Sequence, residues 1–296
     1  MNLVYSDKYE VDLGNHPFIT TKYRLVSERL VKEGLITPRD LVLAPYATDE
    51  DLLLVHTKEY VDKIKSLSLS FSELLVLELP LSKEIVDASI ICCGGTILAC
   101  ELALKTGIGI HIGGGFHHSF PDHGEGFCIF NDMAIAIKKM EKERKARKFM
   151  IIDCDLHQGN GNAYIFRDNK NVFTFSIHEE NIYPIPKQKS SLDIGLPAGT
   201  TDEEYLLKLQ QNIPDIIDKH KPELILYQAG ADLYEYDQLG HLKLTKEGIL
   251  NRDKFIYEQV KNRDIPTVVL LGGGYSIYPK DTVAIHTNTI KIFLGK

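Results

Sequence analysis

The sequence predicts an α/β protein built on a mostly parallel sheet with helices on both faces. Three observations carry that prediction. Apolar runs of strand length alternate with segments of helical period through most of the 296 residues. The runs are continuously apolar, as strands buried on both faces must be. Polar, glycine-rich segments follow several of them, at the strand ends where open parallel sheets gather their functional groups.

In chain order, "LVYS" (3–6) opens as a strand, and a helix is expected near 20–33. A helix over 83–105 leads into the strand "IGIHI" (108–112), and a helix over 131–147 into "FMIID" (149–153). "VFTFSIH" (172–178) is the next strand. The helix over 202–219 opens on a capping box, Thr201 with Glu204 three residues later. "ELILYQAG" (223–230) and "TVVLLGGG" (267–274) complete the clear strands, with helices over 245–261 and 281–294. No repeat, low-complexity tract or linker divides the chain, so a single domain over 1–296 is expected.

Composition narrows the function. The chain is 44% hydrophobic and 25% charged, ordinary for a soluble globular protein. A formal charge of −7 argues against a general nucleic-acid surface and suits a cationic partner better. The basic run 138–148 is interrupted by glutamates and reads as a solvated helix face. Cys92, Cys93, Cys100, Cys128 and Cys154 form no CxxC pair, and their odd number fits buried free thiols in a reducing compartment. Met1 leads straight into polar sequence without a basic-then-apolar leader, and the apolar runs are short of a membrane span. A cytoplasmic location is expected. Nothing declares an oligomeric state.

The strand ends carry chemistry. "DCDLHQGNGN" (153–162) follows one strand, and Asp153, Asp155 and His157 would share one side of it if it stayed extended. "GGGFHHSFPDHGEGF" follows another strand, Asp232 a third, and "GGGY" ending at Tyr275 a fourth. Singly these are ordinary: a helix N-cap, a surface histidine pair, a tight turn. The GxGxxG pattern and the P-loop lysine are both missing, which disfavours a nucleotide site. Together, Asp155, His157 and Asp232 offer two oxygens and one nitrogen, a set suited to Zn²⁺ at an open catalytic site, with Fe²⁺ an alternative. His117 and His118 are then base and acid candidates, Tyr275 a hydroxyl donor, and Asp153 a carboxylate that orients a histidine.

"GFHHSFPDHGEGFCIFND" (115–132), "DCDLHQGNGN", "AGADLYEYDQLG" (229–240) and "GGGY" resemble, in order, the signature segments of the zinc-dependent histone deacetylase family. "HPFITTKYRL" (16–25), "LVHTKEYV" (54–61) and "DIGLPAGTTDEEY" (193–205) resemble further pieces, so the likeness spans nearly the whole chain. It implies the arginase/deacetylase fold, a three-layer α/β/α sandwich around about eight strands. It assigns zinc to Asp155, His157 and Asp232, and makes His117 and His118 the tandem catalytic histidines, with His118 the general base and then acid. Tyr275 becomes the transition-state donor.

Gly126, Phe127 and Gly273 would line a narrow tunnel for an acyl-lysine side chain. Tyr183 is the candidate facing aromatic, against a plain loop-packing role. A potassium ion is implied at Asp153, Asp155, His157, Ser176 and Ile177. His178, His123 and Asp237 are read as loop hydrogen-bonding residues.

The "HPF" opening and Asn160 look closer to class IV members and bacterial relatives than to class I. Class I members carry an aspartate where this chain has Asn160. The neutral amide can accept a hydrogen bond from His118 Nδ1–H but does not favour imidazolium as a carboxylate does, so a lower His118 pKa is expected.

The function implied is an amidohydrolase removing an acetyl or longer acyl group from a lysine-bearing protein, or from a small acylated amine such as an acetylpolyamine. A two-metal ureohydrolase and a silent acyl-lysine-binding protein are the rival readings.

Overall fold

Eight strands pair side by side, every neighbour parallel, in the order β2-β1-β3-β8-β7-β4-β5-β6. They are β1 Leu3–Tyr5, β2 Leu41–Leu43, β3 Ile108–His111, β4 Phe149–Asp153, β5 Val172–Glu179, β6 Leu192–Leu196, β7 Leu224–Gln228 and β8 Thr267–Leu270. This computed structural model describes residues 2–296. Every residue of β4, β7 and β8 is buried, which explains their continuous apolar sequence.

The helices are α1 Lys22–Lys32, α2 Asp49–Leu52, α3 Lys58–Lys65, α4 Phe71–Leu77, α5 Lys83–Thr106, α6 Asp132–Lys142, α7 Asn160–Phe166, α8 Asp202–His220, α9 Lys246–Lys261 and α10 Pro279–Phe293. α5 packs on β1, β3 and β8 and against α6, while α8, α9, α10 and α1 form a second contiguous layer. The α/β/α architecture follows. α5 is the one described helix with the length and hydropathy of a membrane span, contrary to the expectation that no apolar stretch comes near that length. Most of it is buried inside the protein, and all five free cysteines are buried as well.

Two strands escaped the sequence. β2 is three residues at a sheet edge and half exposed, and β6, the other edge, contains Gly195 and is largely half-buried. An edge strand covered on one side lacks the continuous apolar run. α6 ends at Lys142, not 147, where Arg144 adopts φ +57°. Three lysines of the basic run are ion-paired, Lys138 with Glu141, Lys139 with Asp51 and Lys145 with Glu101. Thr201 and Glu204 form the expected capping box on α8.

The strand order sets the site. β3 sits third in the sheet and β4 sixth, with β8 and β7 inserted between them. The carboxyl ends of β3, β8, β7, β4 and β5 are therefore consecutive, and the polar segments that follow these strands meet.

Candidate active site

The loop after β3 is fixed before its histidines begin. Asp132, the first residue of α6, accepts from the backbone N–H of Gly115 at 3.0 Å and of Phe116 at 2.7 Å. Gln228, at the end of β7, donates to the Gly115 carbonyl at 2.8 Å. His117 and His118 follow, ring centroids 4.0 Å apart and both buried. His117 Nδ1 lies 2.7 Å from Asp153 Oδ2, and His118 Nδ1 lies 2.6 Å from Asn160 Oδ1.

β4 stops at Asp153, so the three polar residues do not line one side of an extended strand. The chain turns: Asp155 N–H donates to Asp153 Oδ1 at 3.2 Å, and His157 N–H to Asp155 Oδ1 at 2.9 Å. Asp153 is left facing His117, while Asp155 and His157 curl toward Asp232. Their ligand atoms all lie within 4.8 Å of one another, and the three residues are buried. Asp153 is outside this group.

The cluster fits a divalent cation. His157 Nδ1 lies 3.2 Å from Asp155 Oδ1 and 3.5 Å from Asp232 Oδ2. Asp232 Oδ2 is buried without a hydrogen-bond donor, a costly arrangement for a carboxylate. Burial opposes protonation of His157, yet Asp155 and Asp232 outweigh it and push the imidazole up to about 10. Two carboxylates and one imidazole, with no thiolate, suit Zn²⁺ or another borderline ion.

The histidine pair is split electrostatically. Burial lowers both, but Asp153 and Asp155 bring His117 up to about 9. His118 stays well below the usual histidine range, because burial is joined by repulsion from His117 and His157 and Asn160 compensates only weakly.

The loop after β8 closes the site. Gly273 has φ +59°, and a Cβ there would lie 2.4 Å from Asp232 Oδ2, so only glycine lets this backbone approach. Tyr275 N–H donates to Asp237 Oδ2 at 2.7 Å. Burial, with the charge of Asp232, drives the Asp237 carboxyl up to about 7. Lys22 donates from its ammonium to the Gly273 carbonyl, and that ammonium lies 5.5 Å from the Tyr275 ring centre. Burial pulls Lys22 down to about 8, against the pull of Asp232, Asp155 and Asp237.

A cavity runs to this cluster. Phe127, Tyr183, Leu239 and Tyr275 line it, His118 and His157 reach it from the buried side, and exposed Glu78 belongs to its rim. Phe127 lies 5.8 Å from Tyr275, and Tyr183 lies 5.0 Å from His118, centre to centre. Gly126, with φ +51°, precedes Phe127, itself at φ +67°. Ser176 pairs in register with Asp153, which brings the 176–177 backbone beside the turn after β4.

Of the three residues read as loop-bonding, His123 and Asp237 make such contacts, while His178 lies within β5 and bonds a residue of the same strand. Ser176 Oγ bonds His178 Nδ1 at 2.9 Å. His123 stacks on Phe120 and bonds Asp122, while Asp237 holds Tyr275.

Glu125, Asp132 and Gln228 also belong to the site, though the sequence does not single them out. Glu125 and Asp132 lie inside quoted segments, but as carboxylates beside stronger candidates. Gln228 reads as the tail of a strand.

A buried, carboxylate-rich cluster able to hold a metal, beside paired histidines at the carboxyl ends of parallel strands, is the arrangement of an α/β metal-dependent hydrolase. Residues 16–290 match the family model of the histone deacetylase domain. Histone deacetylase 2 of Arabidopsis thaliana is 33% identical, over 93% of this chain and 74% of that protein. The acetoin utilization protein AcuC of Staphylococcus aureus is 31% identical, over 93% and 77% respectively. The structure of an HDAC homolog from Aquifex aeolicus superposes with a TM-score of 0.84 at 26% identity, over 99% of this chain and 83% of that one. The chain belongs to the histone deacetylase family and is a deacetylase-type hydrolase.

Proposed function

We propose that the enzyme removes an acetyl group, or a longer acyl group, from the side chain of lysine in a protein substrate. The observation that carries this reading is the cavity itself. Its aromatic and aliphatic walls suit a long methylene stem, and it ends at the buried Asp155, His157 and Asp232 cluster beside His118 and Tyr275.

Asp155, His157 and Asp232 would hold the divalent ion, Zn²⁺ before Fe²⁺. When bound, the ion supplies Lewis acidity, polarising the amide carbonyl and acidifying a water molecule. His118 accepts the proton of the attacking water through Nε2, its Nδ1 being engaged by Asn160. Tyr275 donates its hydroxyl to the carbonyl oxygen as negative charge develops there. The amine leaves with a proton from the histidine pair, and Asp153 keeps His117 oriented throughout. Phe127, Gly126, Tyr183 and Gly273 shape the passage and exclude water. Asp153, Asp155, His157, Ser176 and Ile177 would hold a potassium ion beside the turn after β4, where Ser176 pairs in register with Asp153.

A second reading, a small acylated amine such as an acetylpolyamine, is favoured by Glu78. Its carboxylate is at the rim and makes no ion pair among the described residues, and the protein's formal charge is −7. A second cation on the substrate would meet it.

The test is a panel of acyl-lysine peptides and acetylpolyamines of graded acyl length, assayed with enzyme loaded with Zn²⁺ or Fe²⁺. Acetate release, with acetyl-lysine peptides giving the highest kcat/KM, is expected. A clear preference for acetylpolyamines moves the assignment to the second reading. Metal-loaded enzyme that cleaves none of them overturns both.

A further inference from the structure

Asn160 has two ends, and the structure accounts for both. Its Oδ1 lies 2.6 Å from His118 Nδ1, and its Nδ2 donates to Glu125 Oε1 at 2.7 Å. The same carboxylate oxygen accepts the Tyr183 hydroxyl at 2.7 Å. Glu125 is itself fixed, because residues 125 and 128 form a two-way backbone bridge at 3.1 and 2.9 Å. Its other oxygen lies 3.4 Å from His123 Nε2.

An asparagine amide can face a histidine with either its oxygen or its nitrogen, and the two choices select opposite imidazole tautomers. An ionised glutamate only accepts hydrogen bonds. With Glu125 behind it, the reversed amide would set oxygen against oxygen at 2.7 Å, so Nδ2 must point to Glu125 and Oδ1 to His118. An amide oxygen cannot donate. His118 therefore carries its proton on Nδ1, and Nε2, which no protein group engages among the described residues, is left as the free acceptor. Half-buried Glu125 stays ionised: burial raises its carboxyl, but bonds from His123, Tyr183 and Asn160 outweigh that.

We propose that Glu125 is a positioning residue that fixes the tautomer of His118 through Asn160 and at the same time anchors the tunnel wall through Tyr183. This deepens the deacylase reading and rests on its assignment of His118 as the base. An aspartate at 160 would need no such device, since both of its oxygens accept. Here the carboxylate stands one residue further out, and an amide relays its orientation.

The relay gives an epistatic signature. Glu125→Ala frees the amide to rotate and releases Tyr183, so kcat falls about 100-fold, the scale of losing a positioned group, and KM rises. Asn160→Asp alone sets two carboxylates against each other and also lowers kcat. The double substitution removes the repulsion and supplies a symmetric acceptor. It restores kcat to within about threefold of the parent, while KM stays raised because Tyr183 still lacks its partner.

Urea midpoints of all four proteins separate this pattern from simple loss of fold. ¹⁵N-histidine spectra of the chelator-treated proteins read the tautomer without turnover. The parent should show His118 protonated on Nδ1, and Glu125→Ala a mixture. A Glu125→Ala protein with unchanged kcat and tautomer overturns the proposal. So does a double variant in which the two losses merely multiply. If the parent cleaves no acyl-amine at all, the deacylase reading fails, while the spectra still judge the relay.

Discussion

Arg252 donates from one guanidinium nitrogen to the carbonyl of Gly230 at 2.6 Å and to that of Cys154 at 3.2 Å. Cys154 immediately precedes Asp155, and Gly230 stands two residues before Asp232. A single buried cation thus ties together the two strand ends that carry the carboxylates proposed to hold the metal. Asp253 balances its charge, accepting from Arg252 Nε at 2.9 Å, and is held in turn by Tyr227 and Thr289.

Replacing Arg252 with methionine leaves the two buried carbonyls without this donor and the buried Asp253 carboxylate without its counter-charge. Breaking a buried pair in this way costs roughly 3–5 kcal/mol, and loosening the support behind metal ligands costs about 10- to 100-fold in metal affinity. Urea denaturation and a chelator-competition titration measure the two effects. An Arg252→Met protein that folds and binds metal as tightly as the parent would show that the strand ends hold their own positions.

Tyr275→Phe isolates the hydroxyl. The backbone bond from Tyr275 to Asp237 and the ring contacts with Phe18 and Phe127 survive the change. Turnover is expected to fall about 10²- to 10³-fold, the usual cost of one oxyanion donor, with metal content unchanged by elemental analysis. Parallel loss of metal would move Tyr275 from transition-state donor to structural support.

Gly126→Ala tests the tunnel wall. A Cβ at this position would lie 2.6 Å from Tyr183 Oη and 2.9 Å from His118 Cδ2. Gly34 supplies the control, with φ +67° and nothing within 4 Å of its Cβ position. Both changes incur left-handed strain of about 1–2 kcal/mol. Only Gly126→Ala should lower kcat/KM, by about 10-fold or more, as small misplacements in a site do. Equal kinetic losses would mean that backbone strain, and not the crowded wall, is responsible.

The sheet interior was legible because burial on both faces forces unbroken apolar runs, as in β4 and β7. The edges β2 and β6 were not, since partial exposure relaxes that pattern. At the site, residues that stand beyond strand ends among glycines announced themselves: Asp155, His157, Asp232 and Tyr275 each follow an apolar run. What the sequence could not disclose is which distant residue stands behind each of them. Arg252 reads as one more charged position on an amphipathic helix, and Lys22 as the start of another. Both become buried only when strands far apart in the chain are neighbours in the sheet. The turn after Asp153 was equally hidden, because side-chain to backbone bonds from Asp153 and Asp155, not an extended strand, set the direction of the ligands.

His56 supplies a pH dependence away from the metal cluster. Its Nδ1 lies 3.0 Å from the Phe120 carbonyl, and its Nε2 accepts the Asn131 N–H at 3.0 Å. A carbonyl can only accept, so His56 is neutral with its proton on Nδ1, and it ties the loop after His118 to the start of α6. Burial drives its pKa down to about 4, against the smaller upward pull of the Phe120 and Pro121 carbonyls. Between the unfolded value near 6.5 and that folded value, the unfolded chain binds more protons than the native one. Stability therefore rises with pH across this window: it is lost as pH falls from about 6.5 to about 4, and this group adds no further loss below. At 1.36 kcal/mol per pKa unit the loss from His56 is on the order of 3 kcal/mol. Urea midpoints taken at intervals between pH 7 and pH 4 should therefore decline before most carboxylates titrate. His56→Gln keeps a donor and an acceptor but cannot be protonated, and should flatten that decline even if the protein is less stable at pH 7. An unchanged slope in His56→Gln would assign the acid sensitivity to another buried histidine, with His111 the next to test, since burial lowers it to about 3.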